Sequence, residues 1–206
     1  GDWSSDVCSS DLCRAVEIAL EKAGLSAADC ASIGIGSPGT CDSEAGVVLR
    51  AYNLGWFNVP VCRMLHERFG IPVHLSNDAN CAALAETVAG AAVGCRSMVL
   101  ITLGTGVGSG IIADGKLLEG AGGTGAEVGH ALLVLDGEPC TCGRRGCWEA
   151  YGSATALIRQ GKRAGEQHPE SALHGREELT ALDVFQAADA GDAAAQAVIM
   201  SMRQSP

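Results

Sequence analysis

The stretch CTCGRRGCWE places Cys140, Cys142 and Cys147 within eight residues, and His130 lies ten residues before the first of them in GAEVGH. Few features restrict a chain more, because three thiols in so short a loop have few stable fates. A disulfide takes two and strands the third; a reactive-thiol site needs only one. The loop is otherwise small and polar, and Gly143 and Gly146 permit tight turns. Adding His130 gives a Cys3His set, the tetrahedral donor set of a closed structural zinc site. Four protein donors leave no open position for water, so the metal is read as structural and not catalytic. Taken alone, His130 and nearby Glu127 read as ordinary loop residues; the thiols change that for the histidine.

Composition narrows the class. With 206 residues, 47% of them hydrophobic, the chain can bury one sizeable core or two modest ones. There are ten cysteines, but no charged-then-apolar leader precedes them, so a disulfide-stapled secreted scaffold is not expected. The scattered thiols Cys30, Cys41, Cys62, Cys81 and Cys95 read as buried core residues. A net charge of −10 argues against a nucleic-acid or anionic-membrane surface. The longest uncharged run, 97–113, is too short and glycine-rich for a membrane span. Residues 1–12, GDWSSDVCSSDL, lack periodicity, look like a translated sequencing adapter, and are set aside as non-native.

From residue 13 the pattern alternates. CRAVEIALEKAG reads as a helix, IGIGS as a buried strand into a Gly-Pro turn, and GVVLRA as a short strand before a loop. VPVCRMLHERFG reads as a helix, IPVHLS as a strand and NDANCAALAETVAG as an Ala-rich helix. SMVLITLGTGVGSGIIADGK reads as strand, glycine-rich turn, strand and turn, and AEVGHALLVL as a loop followed by a strand. Beyond the thiols the chain turns mainly helical. These shifts suggest a remaining N-terminal α/β lobe over 13–95 and a C-terminal lobe with the thiol loop over 96–206.

Two further stretches carry chemistry only in context. LGTGVGSGII alternates its glycines and lies between strands, so it is not a dinucleotide fingerprint. It could wrap phosphates through backbone N–H groups, although a plain glycine-rich turn is the simpler reading. In SNDAN, Asp78 opens a helix, where capping is its ordinary use. The functional alternative is a general base at the carboxyl end of a strand, with Asn77 orienting the substrate.

Together IGIGSPG, NLGW, NDAN, LGTGVGSG, GAEVGH and CTCGRRGCWE, in this order, resemble the ROK family of sugar kinases and sugar-responsive repressors. The resemblance runs from about residue 13 to the end. It implies an α/β, actin-like (ribonuclease-H-like) fold of two lobes, with a hexose and ATP meeting in a cleft. It implies Asp78 as the base that deprotonates the sugar hydroxyl, and Asn77, Glu127, His130 and Glu149 as partners of other hydroxyls, with Gly39 and Asn53 lining the pocket. Thr105 and Gly106 would belong to the ATP phosphate loop, with Mg2+ accompanying the nucleotide, and His130, Cys140, Cys142 and Cys147 would hold the structural Zn2+. The implied reaction is phosphorylation of a hexose, glucose foremost, by a cytoplasmic enzyme that forms a homodimer or homotetramer.

The family's D-x-G-G-T start and the end of its second lobe have no counterpart here, so the fold is expected to be incomplete at both termini and the fragment to turn over little sugar. Two rival readings are a ROK repressor, which carries a DNA-binding helix-turn-helix before the sugar-binding region, and a non-catalytic sugar-binding module. No helix-turn-helix is read from residue 13 onward.

Overall fold

The structure, a computed structural model, describes residues 3–204, with side chains from residue 11 to residue 202. The chain divides into two compact units, Gly1–Leu100 with Gly110–Ala126, and Ile101–Ser109 with Glu127–Pro206. It passes between them three times, twice inside a hairpin and once between Ala126 and Glu127.

In the first unit the helix expected from residue 13 is the later part of a longer one, α1 (Trp3–Ala23). No Gly or Pro interrupts the chain between Trp3 and Gly24, so helix once nucleated can propagate back through the Ser and Asp residues that had been set aside. Strand β1 (Ile33–Ser37) pairs in parallel with β5 (Val73–Asn77), Ile33 facing Val73 and Ser37 facing Asn77. Between them β2 (Thr40–Asp42), β3 (Val47–Ala51) and β4 (Trp56–Val59) form an antiparallel sheet in the order β2-β3-β4. β4 falls where a loop was expected, because Gly55 and Asn58 interrupt its pattern; both have positive φ, 66° and 53°. Helix α2 (Val61–Phe69) stops at Gly70, left-handed at φ 73°, and α3 (Asp78–Ala89) follows β5 directly.

The core of this unit gathers Cys41, Val48, Ala51, Val59, Val61 and Leu75, with Leu12, Ile35 and Trp56 packed against it. Of the scattered thiols only Cys41 is fully buried, and burial first of all pushes it up to about 11. Cys30, Cys62 and Cys81 are half-buried and Cys95 is exposed, which corrects the expectation that all five are core residues.

Strands β6 (Met98–Leu103), β7 (Val107–Ala113) and β8 (Lys116–Leu117) form a sheet in that order. In the second unit α4 (Glu149–Gly152), α5 (Ala154–Gln167), α6 (Ala181–Asp189) and α7 (Ala193–Gln204) follow the thiol loop. Leu157, Leu173, Leu179, Val184, Ala195 and Val198 make its core. Gly161 lets α5 approach closely, since a Cβ there would come within 2.8 Å of Val184 and 3.0 Å of Leu179.

The strand expected in ALLVL does not form. Leu132 makes only an isolated bridge to Cys147. The Leu133 and Val134 N–H groups both donate to Gly146 O, at 2.7 and 3.1 Å, and the Ala131 carbonyl accepts from Trp148 N–H at 2.9 Å. The thiol loop thus takes the hydrogen bonds that a sheet partner would have made. Among the described residues no helix is long and apolar enough to cross a membrane.

Gly110 in β7 packs over α3, where a Cβ would sit 2.5 Å from Ala83 Cβ and 2.8 Å from the Ala79 carbonyl oxygen. Gly110→Ala is therefore expected to lower stability by ~1–3 kcal/mol through overpacking, read as an earlier urea midpoint with an unchanged slope. An unshifted midpoint would show that the strand-helix spacing is slack.

Candidate functional site

In the first unit, the junction of β5 and α3 assigns two neighbouring polar residues different tasks. Asn77 is the N-cap: its Oδ1 accepts from Ala79 N–H at 2.9 Å and Asn80 N–H at 3.2 Å. Its Nδ2 donates to the Gly39 carbonyl at 3.0 Å. Gly39 has φ 84°, and a side chain there would strike the Arg50 carbonyl, so the turn after β1 can close only on glycine. The cap expected at Asp78 therefore falls one residue earlier. Asp78 is the first residue of α3, exposed, its Oδ1 accepting from Ala79 N–H at 2.9 Å. It lies at the N-terminal end of the helix. Asn53 is exposed in a 3-10 turn, Tyr52–Leu54, and among the described residues no hydrogen bond ties it to Gly39, Asn77 or Asp78.

In the second unit, His130, Cys140, Cys142 and Cys147 converge, their ligand atoms all within 4.8 Å of one another. Cys142 and Cys147 sulfurs are 3.7 Å apart, too far for a disulfide, and Cys140 Sγ lies 3.5 Å from His130 Nδ1. A tetrahedral zinc with ordinary bond lengths sets S···S edges of about 3.8 Å and S···N edges of about 3.5 Å. The donor set fits the ion in chemistry and in spacing.

The loop is braced to hold that shape. Gly143 and Gly146 have φ 87° and 76°. Cys140 N–H donates to Arg144 O at 2.9 Å, Gly146 N–H to Glu138 O at 2.8 Å, and Glu138 N–H to the Tyr151 hydroxyl at 2.7 Å. Arg144, which the sequence reading passed over, donates to His130 O at 3.0 Å. Burial opposes ionising Cys142, but the Arg144 backbone N–H and guanidinium and the neighbouring sulfurs outweigh it and bring that thiol down to about 6. Burial, then Cys142 and Cys140, push Cys147 up to about 12. A divalent cation on this set would favour the thiolate forms of its sulfur donors.

Glu149, first residue of α4, reaches in two directions. Its Oε1 accepts from the Thr141 hydroxyl at 2.8 Å, inside the thiol loop. Its Oε2 accepts from Val107 N–H at 3.1 Å, at the end of the glycine-rich turn. A Cβ at Gly106 would collide with Oε2 and push the carboxylate aside. Thr105 is exposed at the tip of the same turn. Glu127 is exposed and precedes a 3-10 turn, Val128–His130, whose Val128 N–H donates to Ser109 Oγ at 3.0 Å. The structure thus groups Gly39, Asn77 and Asp78 in one unit, and Thr105, Gly106, Glu149 and the Cys3His set in the other.

Residues 4–205 match the ROK family. A glucokinase from Halalkalibacterium halodurans is 44% identical over 84% of this chain and 54% of its own length. The crystal structure of a ROK family glucokinase from Streptomyces griseus, in complex with glucose and AMPPNP, is 36% identical with a TM-score of 0.80, over 96% of this chain and 64% of that one. A ROK family transcriptional regulator, a homolog of the E. coli MLC protein, is 31% identical with a TM-score of 0.82, over 96% of this chain and 50% of that one. The chain belongs to the ROK family and has its α/β, actin-like (ribonuclease-H-like) fold. It spans about half the length of the curated relatives it matches.

The donor geometry predicts one equivalent of zinc per purified chain. Chelation is expected to lower Tm by roughly 5 °C or more, and Cys147→Ser to abolish retention. Elemental analysis without zinc, together with a Tm indifferent to chelator, would remove the metal from the site.

Proposed function

We propose that a protein carrying this chain transfers the γ-phosphoryl group of ATP to a hexose hydroxyl, glucose being the foremost candidate. The carrying observation is the displaced cap: Asn77 closes the helix, so the exposed Asp78 carboxylate stands at the carboxyl end of a parallel strand without serving as the cap. Ligand crevices of open α/β sheets lie at such strand ends. A carboxylate there can take the proton of the attacking hydroxyl, as phosphoryl transfer to an alcohol requires. The likeness to a glucokinase with bound glucose and AMPPNP supports the same reaction.

Within this reading Asn77, Glu127, His130 and Glu149 hold the remaining sugar hydroxyls, with Gly39 and Asn53 as further lining. Glu149 already accepts two hydrogen bonds, and a carboxylate has lone pairs for more. His130 turns Nδ1 towards Cys140, which leaves Nε2 for a hydroxyl. Thr105 and Gly106 hold the ATP phosphates, and Mg2+ arriving with the nucleotide supplies charge neutralisation. Zinc on the Cys3His set supplies fixed geometry, not bond-making. Fixed donors and acceptors are what sugar selection needs, since a site built for a hydroxyl penalises analogues that lack it.

The second reading is a sugar-responsive repressor, favoured by the 0.82 TM-score to the ROK transcriptional regulator. One experiment separates the two. In a chain extended to the relatives' full length, Asp78→Asn should cut kcat by ~10²–10⁴ while glucose still protects against thermal unfolding. Undiminished turnover in the variant would remove Asp78 from the base role. Sugar protection without turnover in the unmutated protein would select the repressor reading.

A further inference from the structure

We infer that residues 149–155, which follow the thiol loop, clamp the glycine-rich turn so that metal on the Cys3His set and a nucleotide phosphate on the turn bind cooperatively. The inference rests on reading residues 104–107 as the phosphate turn.

Three bonds make the clamp. The Gly104 carbonyl accepts from Ala154 N–H at 2.9 Å, the Thr105 carbonyl from the Thr155 hydroxyl at 2.7 Å, and Val107 N–H donates to Glu149 Oε2 at 3.1 Å. Within the turn Gly104 N–H donates to Gly106 O at 3.0 Å. The carbonyls at 104, 105 and 106 are thereby occupied and turned from any arriving anion. The N–H groups of Thr105 and Gly106 have no hydrogen-bond partner among the described residues, and Thr105 is exposed. Acceptors tied back and two adjacent donors left open is the polarity an anion-binding turn requires.

Glu149 carries the coupling. It lies two residues past Cys147, and its other oxygen is held by Thr141, between Cys140 and Cys142, with Cys140 Sγ 3.7 Å away. A cation on the thiol loop would fix Thr141 between two of its donors, and without it any movement of the loop is passed through Thr141 to the Glu149 carboxylate. The Val107 bond and the turn then loosen together. Linkage makes the effect reciprocal: metal tightens nucleotide by the factor by which nucleotide tightens metal. Glu149 is in this respect a positioning residue, acting on phosphate through the backbone of Val107.

The test uses the chain extended to the relatives' full length, zinc-loaded and zinc-stripped, with Mg·AMPPNP as the nucleotide probe. Stripping should speed hydrogen exchange at the Val107 amide and weaken AMPPNP at least about fivefold; AMPPNP should raise resistance of the bound zinc to chelator by the same factor. Glu149→Ala should remove the coupling with zinc still bound, and Glu149→Gln should restore it, because the amide oxygen still accepts from Val107. Thr155→Val leaves the metal donors untouched and should weaken AMPPNP at full zinc content, which keeps the test decisive if stripped protein unfolds. Equal AMPPNP affinity in loaded, stripped and Thr155→Val protein would overturn the clamp and leave the phosphate reading standing. No AMPPNP binding to loaded protein would overturn that reading and the inference with it.

Discussion

Three sulfurs and an imidazole held within a few ångströms of one another dominate the second unit, because no apolar packing explains their convergence. Burial first of all holds the Cys147 thiol up, while hydrogen bonds from Arg144 and the neighbouring sulfurs bring Cys142 down. Every brace around the loop, from Arg144 on the His130 carbonyl to Tyr151 beneath Glu138, opposes its opening. The consequence reaches beyond the loop. The run ALLVL, which would otherwise need a sheet partner, completes its hydrogen bonds against it, and α4 begins where it ends.

In the first unit the controlling detail is a shift of one residue. A helix N-terminus presents orphan N–H groups, and a side chain must satisfy some of them. Asn77 does so with its oxygen and uses its nitrogen to fix the Gly39 turn. An asparagine has both a donor and an acceptor; an aspartate in its place could not hold the Gly39 carbonyl. The order Asn-Asp therefore keeps the neutral amide for structure and leaves the charged group exposed at the strand end.

Much of the fold was legible because strong local signals agreed with the tertiary outcome. β1 and β5 form where strands were expected, although Gly34, Gly36 and His74 are exposed and the strands are not buried on both faces, and α2 stops at Gly70 as its sequence indicates. The convergence of His130 with the three thiols was legible from spacing, since Cys-x-Cys with a nearby Cys and His has few other uses. What failed was decided by partners remote in sequence. ALLVL has a strand's composition but no strand neighbour, β4 contains Asn58 at positive φ and starts directly after Gly55 at another, and α1 reaches back past residue 13. Thr141, Arg144 and Thr155 were invisible for a related reason. Each acts through one hydrogen bond to backbone or carboxylate, and no residue type announces such a bond in advance.

The glycine-rich turn shows why a motif made of glycines is weak evidence until its neighbours are known. Its alternating glycines look like one device in the sequence, yet the structure gives them separate causes. A side chain at Gly106 would push the Glu149 carboxylate aside, whereas Gly110 is bare so that β7 can settle on α3. Gly129, outside the pattern, is bare because the Val107 carbonyl occupies the space a side chain would need. A turn that offers two N–H groups to an anion needs its other polar atoms restrained, and glycine by itself restrains nothing. The restraint comes from Glu149, Ala154 and Thr155, some fifty positions downstream, so the chemistry of the turn belongs to the segment that grips it.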